Sequence, residues 1–239
     1  MTKIISHNNF TEKELYKENI CKECHEKRKE FAIFEKKYPK INPTYSRFFG
    51  SFSKNDTIQI PIDVLIILEG NSGTEDWSNI SGNTENEFTK KYYVEKKYKN
   101  KSYHLNEMQK LLATLNEMNI RWVLTDFIKC YVQKSLSEKD KKVFLKEKGR
   151  PILFDVNKDN HEIAAKNCSY YMTAQIKNFE PKLILLFGGH AKNYFNKYVK
   201  NEIKENIIEA PFPSQSSANK WVQNGGVEEV VKRIKEQLL

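Results

Sequence analysis

Four short apolar runs interrupt an otherwise polar chain. They are Ile62-Asp63-Val64-Leu65-Ile66-Ile67-Leu68, Trp122-Val123-Leu124-Thr125, Leu183-Ile184-Leu185-Leu186-Phe187 and the weaker Ile207-Ile208-Glu209-Ala210. The first three are apolar at consecutive positions and rich in branched residues, the pattern of strands buried on both faces. Helical spacing fills the intervals. Leu105, Met108, Leu111, Leu112 and Leu115 share one face of a helix over 105–118. Ile163 to Phe179 reads as a second helix, punctuated by Pro181. A third runs from about His190 to Tyr198 after Gly188-Gly189, and an amphipathic helix from Val227 to Leu239 closes the chain. Strands alternating with helices predict an α/β fold, a three-layer α/β/α arrangement around a central, mainly parallel, four-stranded sheet.

In such a sheet, ligands bind beyond the carboxyl ends of the strands. Three segments fall there: 69–76, 125–130 and 211–217. Residues 1–50 are polar, with helical and loop character, and residues 79–102 and 134–160 read as surface insertions. The length of 239 residues fits one domain, spanning 1–239.

The formal charge is +9, carried mostly by Lys spread along the chain. A solvated surface, genomic base bias and a nucleic-acid-binding face all account for it. No signal-peptide core and no run of about 18 apolar residues is present, so a soluble, cytoplasmic protein without a membrane partner is expected. The four cysteines are Cys21, Cys24, Cys130 and Cys168. In a reducing compartment a C-x-x-C pair serves metal ligation better than a disulfide. Four thiolates suit one centre, an iron–sulfur cluster or a Cys₄ Zn²⁺ site.

The strand-end segments, in their order and with these cysteines, resemble the uracil-DNA glycosylase superfamily, and most closely its iron–sulfur family 4 branch. The first motif of that branch, G-E-A-P-G-x-x-E-D, is matched by Leu68-Glu69-Gly70-Asn71-Ser72-Gly73-Thr74-Glu75-Asp76, with Glu69 and the Glu75-Asp76 pair in register. The second, T-N-x-x-K-C, is matched by Thr125-Asp126-Phe127-Ile128-Lys129-Cys130. The next cysteine, followed by I-x-P-K-x-I-x-x-x-G, is matched from Cys168 through Phe179-Glu180-Pro181-Lys182-Leu183-Ile184 to Gly188. The last, H-P-S, stands as Phe212-Pro213-Ser214. The resemblance covers the chain from Cys21 onward, and its specificity lies in the ordered set.

It implies a DNA glycosylase that binds DNA as a monomer and carries a [4Fe–4S] cluster on Cys21, Cys24, Cys130 and Cys168, with Zn²⁺ the alternative. Such an enzyme turns a base out of the stack and hydrolyses its glycosidic bond. A carboxylate at a strand end holds the attacking water and favours the developing sugar cation. Glu69 is the matched residue. In a register shifted by one, Asn71 positions the water instead, and a third reading has Glu69 only capping the turn. No lysine nucleophile is apparent, so no β-lyase step is expected.

The departures from the family pattern carry information. Asp126 replaces the Asn that reads the uracil edge. An ionised Asp repels O4 but accepts from the N4 amine of cytosine. Burial would favour its protonated form, which donates to cytosine N3. Phe212 replaces the His that donates to the base O2, and loss of such a donor costs about 10²–10³ in rate. His104, beside Tyr103, aligns with the aromatic that stacks on the flipped base, although a surface His is equally compatible. Gly70, Ser72 and Gly73 make a small first loop that would admit a bulky C5 group. These features point to a modified cytosine, and to defence against phage with modified DNA. Ordinary uracil repair and a non-catalytic DNA-binding module are the other readings. Ser72, Ser214, Gln215, Ser216 and Ser217 are expected at the DNA. Lys90, Lys91, Lys96, Lys97 and Lys99, interleaved with Tyr92, Tyr93 and Tyr98, form either a second DNA-contact stretch or a solvated loop.

Overall fold

The computed structural model describes residues 3–6, 48–50, 57–70, 103–128, 133–134, 155–156, 158–213 and 218–238. The four apolar runs form four parallel strands: β4 (Val64–Gly70), β5 (Trp122–Ile128), β8 (Leu183–Phe187) and β9 (Asn206–Ala210). A fifth, β2 (Phe48–Gly50), pairs antiparallel with β5, giving the order β2-β5-β4-β8-β9. Two small ladders stand apart. β1 (Lys3–Ser6) pairs antiparallel with β3 (Thr57–Ile60), and β6 (Gln133–Lys134) pairs parallel with β7 (Asp155–Val156).

Alternation along the strands sorts the core into two layers. Leu65, Ile67, Val123, Phe127, Ile184 and Leu186 pack beneath α2 (Lys158–Phe179) and α3 (Gly189–Tyr198). Val64, Ile66, Leu68, Trp122, Leu124, Leu185 and Phe187 pack beneath α1 (Tyr103–Glu117) and α5 (Gly226–Leu238). A short α4 (Ala218–Gln223) adds Trp221 to the second layer. This is the predicted α/β/α arrangement. Leu65, Ile66 and Ile67 are fully buried, each contributing roughly 1.5–3 kcal/mol of burial.

The predicted boundaries shift in ways that matter to the site. β4 starts at Val64 and runs through Glu69 and Gly70, which the sequence reading placed in the following turn. β5 continues to Ile128, so Asp126 lies within the strand. α2 begins at Lys158 rather than at the predicted Ile163, and Cys168 lies in its interior. It stops at Phe179, where Glu180 turns to φ 47 and Pro181 follows.

Asp63 clamps the amino ends of three strands. Its carboxylate accepts from the Arg121 backbone N–H at 2.9 Å, from Arg121 Nε and Nη2 at 3.2 Å each, and from Lys182 Nζ at 2.9 Å. Burial pushes this carboxyl up, but the bonds from Arg121 and Lys182 outweigh it and hold the group below its ordinary value.

Candidate active site at the carboxyl ends of the strands

The rim opposite Asp63 is built from the ends of β4, β5, β8 and β9. α2 runs back along the sheet, since its last carbonyl, Phe179 O, accepts from Ile62 N–H at 3.1 Å just before β4. α1 starts towards this rim as well, because it packs along the sheet and ends just before β5 begins.

Glu69 is the penultimate residue of β4. It continues the alternation of Leu65 and Ile67, and its side chain meets the α3 layer. His190 Nδ1, in the first turn of α3, stands 3.9 Å from Glu69 Oε1. The His190 ring neighbours Tyr194 at 6.1 Å between centroids, and Tyr194 in turn lies 5.8 Å from Phe127. Burial, reinforced by the negative charges of Glu69 and Glu162, pushes the Tyr194 phenol up to about 12. At neutral pH it is an un-ionised hydroxyl beside these carboxylates.

Asp126 pairs in register with Leu68 on the neighbouring strand. It continues the alternation of Trp122 and Leu124 and so belongs to the α1 layer, where it is half-buried. Glu69 and Asp126 therefore flank the rim from opposite faces and do not form a carboxylate pair. Tyr103, which opens α1, packs on the same layer as Asp126. His104 follows it in the first turn of α1.

Phe212 follows β9 and packs against the α1-side core. It also fixes its neighbour. Gly188, at the end of β8, has φ 85 and ψ 161, and a Cβ added there would lie 3.2 Å from Phe212 Cβ. Only glycine tolerates that backbone at little cost. The order of strands sets three inter-strand steps between Asp126 on β5 and the end of β9, about 14 Å.

α4 is anchored from beneath. Trp221 Nε1–H donates to Glu107 Oε2 at 2.8 Å, and Lys110 Nζ donates to Glu107 Oε1 at 2.6 Å. Burial pushes the Glu107 carboxyl up, and the bonds from Lys110 and Trp221 outweigh it, leaving the group lowered. This bond ties the helix that follows residues 214–217 to α1.

Cys168 is 3% exposed and faces the α2-side core. Its height on the sheet follows from one bond, Thr125 Oγ1–H to Gln175 Oε1 at 3.0 Å. Cys168 lies seven residues nearer the rim than Gln175, about 10 Å along the helix. Ile128 lies three residues beyond Thr125, about 10 Å along β5. Cys168 thus sits level with the end of β5, two residues of chain from Cys130. Among the described residues no group of three or more His, Cys, Asp or Glu is placed to hold a metal ion.

Cys21, Cys24, Cys130, Asn71, Ser72, Ser214, Gln215, Ser216, Ser217 and the stretch 79–102 lie outside the described residues, as does the side chain of His104. Sequence reasoning missed His190, Glu107 and Trp221. The strand-end rule that selected three segments applies equally to β8, whose carboxyl end leads into Gly188-Gly189-His190. The Glu107–Trp221 bond joins residues far apart in sequence and left no local signal.

No helix among the described residues is long and apolar enough to cross a membrane. A family model, the uracil DNA glycosylase superfamily, matches residues 80–234. The match takes in β5, β8 and β9 and begins after β4, so Glu69 precedes it. No curated protein matches the chain.

Proposed function

The chain belongs to the uracil-DNA glycosylase superfamily, whose members are DNA glycosylases that bind DNA, and on that footing we propose that it is a monofunctional glycosylase acting on a C5-modified cytosine. The observation that carries this reading is the placement of Asp126 on β5, half-buried on the rim and across from the end of β9. A carboxylate there accepts from the exocyclic amine of cytosine and repels O4 of uracil. Glu69, on the opposite face of the rim, holds the attacking water and stabilises the sugar cation electrostatically. Asn71 is the alternative water-positioning residue. His104 or Tyr103 at the start of α1 supplies a stacking surface for the flipped base. Ser72 and the run Ser214, Gln215, Ser216 and Ser217 contact the DNA backbone.

Cys21, Cys24, Cys130 and Cys168 would hold a [4Fe–4S] cluster, as in the family 4 branch. The level of Cys168 with the end of β5 supports that donor set. A cluster there would pin the N-terminal segment 1–50 to the sheet. Zn²⁺ on the same four thiolates is the alternative.

An enzyme that removed plain cytosine would damage its own genome. A requirement for a C5 substituent removes that hazard and makes defence against phage with modified DNA the matching physiology. Uracil repair is the second reading, supported by family membership itself. A non-catalytic DNA-binding module is the third, supported by Phe212 in place of a donor.

The test is base release from matched oligonucleotides carrying uracil, cytosine, 5-hydroxymethylcytosine or glucosylated 5-hydroxymethylcytosine, read as alkali-labile breaks. Cleavage confined to a modified cytosine, with Asp126→Asn shifting it toward uracil, is the expected result. Cleavage at uracil alone, in both proteins, would overturn the cytosine assignment.

A further inference from the structure

The reaction needs a donor for the departing base, and Phe212 has none to offer. The end of β8 lies between β4, which carries Glu69, and β9, which leads to Phe212. The turn at that end presents His190. Its Nδ1 faces Glu69 Oε1 at 3.9 Å, and the side chain is 66% exposed, which leaves Nε2 open to a ligand on the rim. The turn is held in place. Lys192 N–H donates to Gly188 O at 3.2 Å, Lys192 Nζ pairs with Glu209 Oε2 of β9 at 2.6 Å, and Gly188 N–H donates to Ala210 O at 2.9 Å.

We propose that His190 is a catalytic residue whose Nε2–H donates to the departing base, taking the role that Phe212 cannot fill. This rests on the glycosylase reading above. The C1′–N bond breaks and its electron pair leaves with the base, where the charge on the carbonyl oxygen O2 is met by Nε2–H. Water adds its oxygen to C1′ and gives its proton to Glu69. The base anion then takes a proton from solvent and Glu69 gives its own up to solvent, while His190 keeps its Nε2 proton throughout. Glu69 thereby serves two partners, the attacking water and the imidazole that faces it through Nδ1.

The experiment is single-turnover base release by the full chain, on the oligonucleotide that the wild type cleaves, for wild type, His190→Ala, His190→Gln and Glu69→Gln. Binding to the same DNA and the melting temperature are measured alongside. The expected result is a fall of about 10²-fold or more in both His190 variants, with DNA affinity and melting temperature unchanged. Added imidazole restores part of the rate to His190→Ala and none to Glu69→Gln. Either His190 variant retaining the wild-type rate within about threefold, a difference too small for a lost catalytic donor, overturns the proposal. So does a loss matched by an equal loss of DNA affinity. A wild type that binds DNA but releases no base overturns the glycosylase reading instead, before any variant is compared.

Discussion

Replacing Gly188 with alanine tests the packing of the rim most directly. Two costs add at this position. The backbone at φ 85 and ψ 161 lies in a region that only glycine occupies freely, and forcing another residue into it costs about 1–3 kcal/mol. The new methyl would also stand 3.2 Å from Phe212 Cβ, closer than ordinary contact, so one chain must shift slightly. Together these destabilise the fold by about 2–4 kcal/mol. Urea unfolding followed by far-UV circular dichroism reads this as a midpoint lowered by about 1 M. The atom that obstructs is Phe212 Cβ, which alanine shares. Phe212→Ala should therefore fail to rescue Gly188→Ala, whereas Phe212→Gly relieves the steric part and leaves the backbone part. An unchanged midpoint in Gly188→Ala would refute the conformational argument. Full rescue by Phe212→Ala would refute the contact argument.

Other consequences reach the two ends of the sheet. Asp63 has a folded-state value below its ordinary 3.8, so its contribution is present above that value and lost as pH falls through the lower folded one. Asp63→Asn should cost about 2 kcal/mol at pH 7, and urea titrations should show the gap from wild type closing as pH falls below 3.8. Trp221→Phe leaves the buried Glu107 carboxylate without its indole donor and should cost about 3 kcal/mol. Glu107→Gln keeps an acceptor for Trp221 and loses only a bond to the exposed Lys110, so the same unfolding assay should show under about 1 kcal/mol. With a cluster bound, Cys168→Ser should abolish the visible absorbance of anaerobically purified protein, a region in which four-thiolate zinc is silent. A wild type with zinc and no such absorbance would replace the cluster with Zn²⁺.

The parallel sheet was legible because burial on both faces leaves a mark in consecutive residues. Val64 to Leu68, Trp122 to Leu124 and Leu183 to Phe187 have no polar face to show, and few other structures suit such runs. β2 left no mark, since three residues, Phe48-Phe49-Gly50, pair only because the edge of β5 is there to receive them. Strand ends were harder to place. Gly70 and Asp126 are small or polar, which suggests a turn, yet their backbones pair in register across β4 and β5, and each partner is remote in sequence.

The same limit applies to the site. Motif order located Glu69 and Asp126 at the carboxyl ends of two strands but could not assign them to opposite faces. That assignment depends on where each strand begins to alternate, and it excludes a shared-proton carboxylate pair. His190 was invisible for a related reason. Its importance lies in the 3.9 Å approach to Glu69, between residues separated by 121 positions of chain and joined only through the pairing of β4 with β8. The sheet order turns these distant positions into neighbours. It also sets Phe212, which cannot donate, one strand beyond the imidazole that can.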